Sequence, residues 1–215
     1  IQSIWKRNIK SDKSNLTVRY ADGRDTDALY KLWKECFHDT DAFMAYYFDY
    51  YLRDNRILIL EQKNQLKSMI HLNPYTLSVC GKKTNSLYVV GVATDADFRH
   101  RGAMTRLLQR TFSDCYAGRI PLIYLMPANE AIYTPFQFAY IYSQYVEKKT
   151  HTPFSSIHNI EAAIVRDISA HPVSEEAERQ QLAEWSNSLL SRHYDVFTWR
   201  DAYYFERLQM ENQAD

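Results

Sequence analysis

The sequence predicts an α+β fold, three layers deep, with a central twisted mixed sheet flanked by helices. Three observations carry that expectation. Between residues 25 and 50 apolar side chains recur at helical spacing. Between residues 57 and 94 the period drops to two, broken by turns at Lys63-Asn64-Gln65 and Gly81-Lys82. From Gly102 onward, helical and strand-like segments alternate. The resulting order is strand, two helices, an antiparallel meander, then strand–helix–strand–helix–strand. That order fits a mixed sheet better than a doubly wound one, and no G-x-G-x-x-G follows any expected strand.

Each element has a local reason. Residues 1–15 are polar and basic without periodicity and read as an arm, and Leu16-Thr17-Val18-Arg19-Tyr20 alternates as a strand. Asp25 is placed to cap a helix whose Leu29, Leu32, Trp33, Cys36 and Phe37 share one face. A second helix is expected to start near Asp39-Thr40-Asp41 and to carry Tyr46, Tyr47, Phe48, Tyr50 and Tyr51. The meander comprises Ile57–Leu60, Leu66–Leu72, and Tyr75–Cys80 after an interruption at Pro74. Leu87 to Thr94 is nearly continuous in apolar residues and reads as a buried central strand. Gly102 to Ala117 is helical with Met104, Leu107, Leu108, Phe112 and Cys115 on one face, and Gly118 is a plausible stop. Leu122–Met126 reads as another buried strand, followed by a short helix around Ala131–Phe136 and a strand through Phe138, Tyr140 and Tyr142.

A linker rich in Thr, Ser, His and Asn is expected over 149–160, separating a main domain at 16–148 from a C-terminal segment at 161–215. In that segment Ala162–Arg166 reads as a strand. One helix is expected with Ser174 as cap and Leu182, Trp185 and Leu189 on one face, and another over Arg200–Met210. Val165-Arg166 echoes Val18-Arg19, and Leu182 with Trp185 echoes Leu29 with Trp33, as if a second similar unit opened there.

Composition narrows the function. Lys plus Arg equals Asp plus Glu at 26 each, so the basic excess of a nucleic-acid binder is missing. Cys36, Cys80 and Cys115 form no CxxC pair, and the seven histidines show no ligand spacing, so no metal is expected and the thiols read as reduced and cytoplasmic. No apolar run approaches the roughly 20 residues of a membrane span. The 17 tyrosines read mostly as packing, and tyrosine-rich surfaces often pair, which allows a homo-oligomer.

The chemistry concentrates at one strand-to-helix junction. Val92, Ala93 and Thr94 end the central strand, the chain turns, and Arg99-His100-Arg101-Gly102-Ala103-Met104 opens an amphipathic helix. Free N–H groups and the positive dipole end make such a start an anion site. Gly102 lets the backbone approach phosphate, and Arg99 and Arg101 add charge. The hexapeptide resembles the R-x-x-G-x-G/A coenzyme A signature of the GNAT N-acetyltransferases, with Met104 at the final Gly/Ala position. A second block, Ala128-Asn129-Glu130-Ala131-Ile132-Tyr133-Thr134-Pro135-Phe136-Gln137-Phe138, resembles the I-Y-x-x-F-G-[FY] sequence of the enhanced-intracellular-survival (Eis-like) branch, with Gln137 at the Gly position. That branch also accepts a large apolar residue where Met104 stands. The two blocks fall within the roughly 16–148 span that the resemblance covers.

The resemblance implies acetyl-CoA as cosubstrate, a small-molecule or peptide amine as acceptor, and Tyr133 as general acid. It also implies coenzyme A binding by Val92, Ala93, Thr94, residues 99–104 and Asn129, although the general family asparagine lies further upstream than Asn129. A tyrosine with a pKa of about 10 can protonate a departing thiolate, and a backbone N–H near Val92 or Thr94 can polarise the thioester carbonyl. The base is unassigned. Glu130 and His71 are candidates by position alone, each more often structural. Asp215 is given no role, although the branch uses a terminal carboxylate as its base. Asp39, Asp41 and Asp49 near the aromatic helix would favour a cationic acceptor. The competing reading is a non-catalytic module that binds acyl-CoA or a partner.

Overall fold

The computed structural model describes residues 16–141, 173 and 175–214, apart from the Tyr51 side chain. The expected arm, the linker, the Ala162–Arg166 strand, Tyr142, Ser174 and Asp215 lie outside the described residues. The chain divides into two compact units, Ile1–Met126 with Glu175–Asp215, and Pro127–Ser174.

In the first unit, β1 (Leu16–Tyr20), α1 (Thr26–Cys36), α2 (Asp41–Asp49), β2 (Arg56–Gln62), β3 (Gln65–Val79), β4 (Lys82–Thr94), α3 (Ala103–Ala117) and β5 (Leu122–Tyr124) follow in order. The sheet order is β1-β2-β3-β4-β5. The first four strands are antiparallel neighbours, and β5 runs parallel to β4. The expected mixed sheet flanked by helices is present.

Alternation sorts the core into two faces. Ile57, Ile59, Met69 and Ala93 pack against Leu29, Leu32 and Trp33 of α1 and Met44 and Tyr47 of α2. Leu58, Leu60, Ile70 and Leu72 alternate with them and turn to the other face, where α3 runs over β2 and β3 with Leu107 and Leu108 fully buried. Each such aliphatic side chain contributes about 1.5–3 kcal/mol by leaving water.

Several expectations need correction. The α1 cap is not made by Asp25, whose side chain makes no cap hydrogen bond. Its carboxylate instead accepts both Arg19 guanidinium nitrogens at 2.7 and 2.9 Å, and Asp22 caps the preceding 3₁₀ turn. Pro74 does not break the strand, and β3 runs through it without interruption. Thr76 accepts from the Trp199 N–H, so even positions of β3 turn away from β4, and Pro74 aims its missing N–H at the flank that β2 leaves at Leu72. The strand expected to Met126 stops at Tyr124, and Leu122 is exposed. No strand forms over residues 138–141.

The C-terminal residues supply α5 (Glu176–Leu190), a short strand that has no clear sequence signal, and a final helix. That strand, β6 (Val196–Thr198), pairs antiparallel with Leu77–Val79 beyond the end of β2, and α6 (Ala202–Ala214) follows. The sequence expectation buries the Leu182, Trp185 and Leu189 face of α5. Ala183, Ser186 and Asn187 are buried instead, and Trp185 is 63% exposed. Asn187 explains the rotation. Its amide donates to the Arg200 carbonyl at 2.7 Å and accepts the Arg200 N–H at 3.0 Å, imitating a backbone pair.

The second unit, where described, contains α4 (Glu130–Tyr133) and a 3₁₀ turn over Thr134–Phe136. Gln137 follows with φ 65° and ψ 25°, the left-handed conformation that suits glycine.

One position in β4 constrains the sheet most. Gly91 has φ +57°, and a Cβ there would run into the Trp33 ring. Gly91→Ala is expected to destabilise the protein by about 3 kcal/mol, since backbone strain and overpacking act together. Urea unfolding of the variant measures it.

Candidate functional site

The register of β3 on β4 slips by one residue at Gly91 and Val92, since Met69 pairs with Ala93 whereas His71 pairs with Val90. This is a β-bulge with glycine in the left-handed region. Beyond it, Asp95 donates its N–H to the Lys67 carbonyl at 2.9 Å, so Ala93 faces β3 while Val92 and Thr94 present their N–H and C=O on the opposite edge. On that edge β5 pairs only with Ser86, Leu87 and Tyr88. Among the described residues, β4 therefore has no partner strand from Val89 to Thr94 on this side, and the sheet forks. The sequence held a signal for the bulge, a glycine inside a strand.

The segment after β4 is fixed from both sides. Asp95 Oδ1 accepts the Asp97 N–H at 2.9 Å, Asp95 Oδ2 accepts Lys67 Nζ at 2.9 Å, and Phe98 is buried. Arg99 Nε donates to the Thr94 carbonyl at 3.3 Å, so one of its donors is turned back onto the strand. Arg101 lies over the Phe98 ring at 5.4 Å. His100 is exposed with φ 60°, and Gly102 is the N-cap of α3 with φ 76° and ψ 19°. The helix has no side-chain cap at this end. The Arg106 N–H donates to the Gly102 carbonyl at 3.2 Å, and the N–H groups of residues 103–105 precede that bond. Ala103 is buried and Met104 half-buried. Arg106, one turn beyond Gly102, holds a buried Nε with no partner among the described residues. It was not among the sequence candidates, although the i, i+4 spacing from Gly102 puts it on the same side of the helix. An uncapped 15-residue helix, two left-handed residues and three arginines can receive a phosphate-sized anion.

The other expected positions are distributed differently. His71 is fully buried, and its ring meets Trp33 at 5.0 Å and Tyr47 at 5.7 Å. Its Nδ1 pairs with the Tyr47 hydroxyl at 3.1 Å, and burial pushes its pKa down to about 3. A neutral core imidazole that holds a proton so weakly is unsuited to accept one from an amine, which removes His71 as a base. Asp39 accepts the Trp33 indole N–H at 2.7 Å, and Asp41 accepts Lys34 Nζ at 2.8 Å, so two of the three carboxylates expected to attract a cation already have partners. In the second unit, Asn129 Oδ1 caps α4 by accepting the Ala131 N–H at 3.0 Å. Glu130 accepts the exposed Tyr140 hydroxyl at 2.8 Å, and that hydrogen bond raises the Tyr140 pKa. Tyr133 is half-buried at the end of α4, edge-on to Phe138 at 5.8 Å. No group of three His, Cys, Asp or Glu suited to a metal occurs among the described residues, and none of their helices is long and apolar enough to cross a membrane.

Comparison with known proteins gives the same architecture a name. A family profile described as Acetyltransferase (GNAT) domain matches residues 17–141. Comparison with curated proteins finds no match. Among solved structures, a conserved Enterococcus faecalis V583 protein of unknown function, a probable N-acyltransferase, aligns with TM-score 0.53 at 17% identity, over 56% of this protein and 31% of that one. A predicted acetyltransferase from Clostridium acetobutylicum, solved with acetyl-CoA, aligns with TM-score 0.51 at 18% identity over 67% and 99%. Glucosamine-6-phosphate N-acetyltransferase from Arabidopsis thaliana aligns with TM-score 0.51 at 12% identity over 61% and 97%. The match thus spans about a third of the Enterococcus protein and nearly all of the other two.

The Lys67–Asp95 contact gives the junction a pH dependence. The hydrogen bond from Lys67 is the main reason that the Asp95 pKa is lowered from its ordinary 3.8. A carboxylate with a depressed folded pKa contributes stability that is complete above the unfolded value and is lost as pH falls through the folded one. Asp95→Asn is therefore expected to lower Tm at pH 7 by about 2–4 °C, with the gap closing below about pH 4. Thermal melts of both proteins between about pH 2.5 and 7 check this.

Proposed function

The chain belongs to the acetyltransferase (GNAT) family, and from that premise we propose that it moves the acetyl group of acetyl-CoA to a primary amine by direct attack in a ternary complex. The observation that carries this reading is the continuity of the junction. The outward edge of β4 at Val92 and Thr94 leads within eight residues to the uncapped start of α3. In this reading the pyrophosphate rests on the N–H groups of residues 103–105 with Arg101 and Arg106 beside it. Arg99, bonded to the Thr94 carbonyl, ties the phosphate loop to the strand. The pantetheine arm then extends along the β4 edge.

The chemical step follows from charge. An amine with a pKa of about 10.4 arrives as an ammonium and must lose a proton before it can attack. Its nitrogen then forms a bond to the thioester carbon, and the carbonyl oxygen takes up negative charge. In this proposal the outward N–H of Val92 or Thr94 stabilises that charge. As the tetrahedral centre collapses, the C–S bond breaks and the thiolate leaves, with a pKa of about 8.5. Tyr133 supplies its proton in this proposal, on the strength of its motif. The nitrogen releases its second proton to solvent as the amide forms and Tyr133 regains one from solvent, so amide and free thiol are the products. Gln137 stands where that block has glycine, and its left-handed φ is one that glycine adopts readily, which supports the motif match. We place the protein with that branch on this block. Cys36, Cys80 and Cys115 are free thiols, which supports a cytoplasmic setting.

Calorimetric titration with acetyl-CoA is expected to give micromolar binding that an Arg101→Glu, Gly102→Glu double variant abolishes. No binding by the natural sequence would end this reading. Tyr133→Phe is expected to lower kcat by about 100-fold or more with the coenzyme A Kd unchanged. Full turnover in that variant would refute the acid role, and binding without turnover of any amine would favour the non-catalytic module.

A further inference from the structure

His71 and Asn73 stand two residues apart on β3, so they share the face that Met69 turns to α1 and α2. Both are buried, with His71 0% and Asn73 2% exposed. Each nevertheless holds a polar atom without a hydrogen-bond partner among the described residues, Nε2 of His71 and Oδ1 of Asn73. One such atom is uncommon in a protein interior. Two at successive positions of one strand face point to a single shared partner.

The neighbouring groups are engaged elsewhere. The Tyr47 hydroxyl pairs with His71 Nδ1 at 3.1 Å, on the other side of the ring, and the Tyr46 hydroxyl donates to the Arg207 carbonyl at 3.1 Å. Trp33 and Phe48 stand edge-on to the imidazole at 5.0 and 6.4 Å. Burial keeps that imidazole neutral, so it carries one hydrogen and one lone pair. In one tautomer Nε2 needs an acceptor, and in the other it needs a donor. Asn73 Oδ1 needs a donor in either case. The two side chains rise from Cα atoms about 6.6 Å apart. Two hydrogen bonds of about 2.8 Å meeting at one oxygen reach across most of that distance. A group of that size that both gives and accepts hydrogen bonds is a water molecule.

We infer that one ordered water is a constituent of this core, bound between Nε2 of His71 and Oδ1 of Asn73. One of its hydrogens goes to Oδ1. Its oxygen accepts from Nε2–H, or its second hydrogen goes to a bare Nε2, so both tautomers are served. Two polar partners meet the minimum that holds a buried water. The register places the site. Asn73 lies opposite Tyr88, which forms the last rung with β5, and His71 lies opposite Val90, where that edge of β4 is already open. The water therefore sits behind the base of the fork, on the α1 and α2 face. It anchors the imidazole that stands edge-on to Trp33, the ring that closes over Gly91. It takes no part in acetyl transfer, and the inference does not depend on the acetyltransferase reading.

The test is a crystal structure of the full-length protein at a resolution that shows ordered waters. The expected result is a water oxygen within about 2.7–3.2 Å of both Nε2 and Oδ1. Asn73→Leu keeps the branching of the side chain but offers no oxygen, and it should lower Tm by about 4 °C or more because losing the water strands Nε2. His71→Phe combined with Asn73→Leu should lose less than the sum of the two single variants, since no polar atom is then left unmet. Well-ordered side chains with no water between them, a direct bond from Nε2 to Oδ1, or a protein side chain in that place would overturn the inference. So would a higher Tm for Asn73→Leu, the sign expected if Oδ1 were simply an unmet acceptor. If a variant fails to fold, the crystal structure of the natural sequence decides alone.

Discussion

The contact of Trp33 with the backbone of Gly91 is the constraint from which the candidate site follows. The indole is buried under α1, locked by its hydrogen bond to Asp39 and by ring contacts with Phe37, Tyr47, Phe48 and His71. It leaves no room for a Cβ on the strand beneath. The strand answers with a glycine in the left-handed region, and one extra residue enters β4 opposite Ile70. The slip exchanges which N–H groups face β3, so Val92 and Thr94 turn outward where β5 has already ended. A packing requirement on one face of the sheet thereby creates backbone polarity along its open edge.

The junction after β4 divides rigidity and vacancy between its two ends. Asp95 fastens the exit of the strand to Lys67 through both backbone and side chain, and its carboxylate caps the short turn rather than α3. Further on, α3 begins on a left-handed glycine with no side-chain cap. A Ser, Thr, Asp or Asn at the N-cap would close one of the free N–H groups of the first turn, which Gly102 cannot do. Leaving that turn open beside Arg101 and Arg106 makes sense if an anion closes it. The same logic reaches Arg99, whose Nε bond to the Thr94 carbonyl links the loop to the strand edge.

Much of this was readable from residue order. The meander, the central strand, the α3 start and the start of α2 at Thr40 all follow from local period and cap chemistry. The misses share a cause, competition from tertiary contacts. Asp25 looks like a cap until Arg19 comes close enough to take its carboxylate. Pro74 looks like a break because its neighbours on the far flank are set by where β2 ends and β6 begins, segments remote from each other in sequence. Trp185 looks like core, yet the amide of Asn187 decides which side of α5 turns inward. His71 shows the limit most sharply. Its position on the meander is evident from the sequence, but a neutral buried imidazole and a surface base carry the same letter, and only its neighbours distinguish them.

Backbone amide hydrogen exchange, measured residue by residue with and without coenzyme A, bears most directly on the fork and the open helix start as one binding site. The expected result is slowed exchange at Val92, Thr94 and residues 103–105 together, with the β2 and β3 core amides unchanged. Slowing confined to other segments, or at the helix start without the β4 edge, would contradict a cofactor that spans the junction.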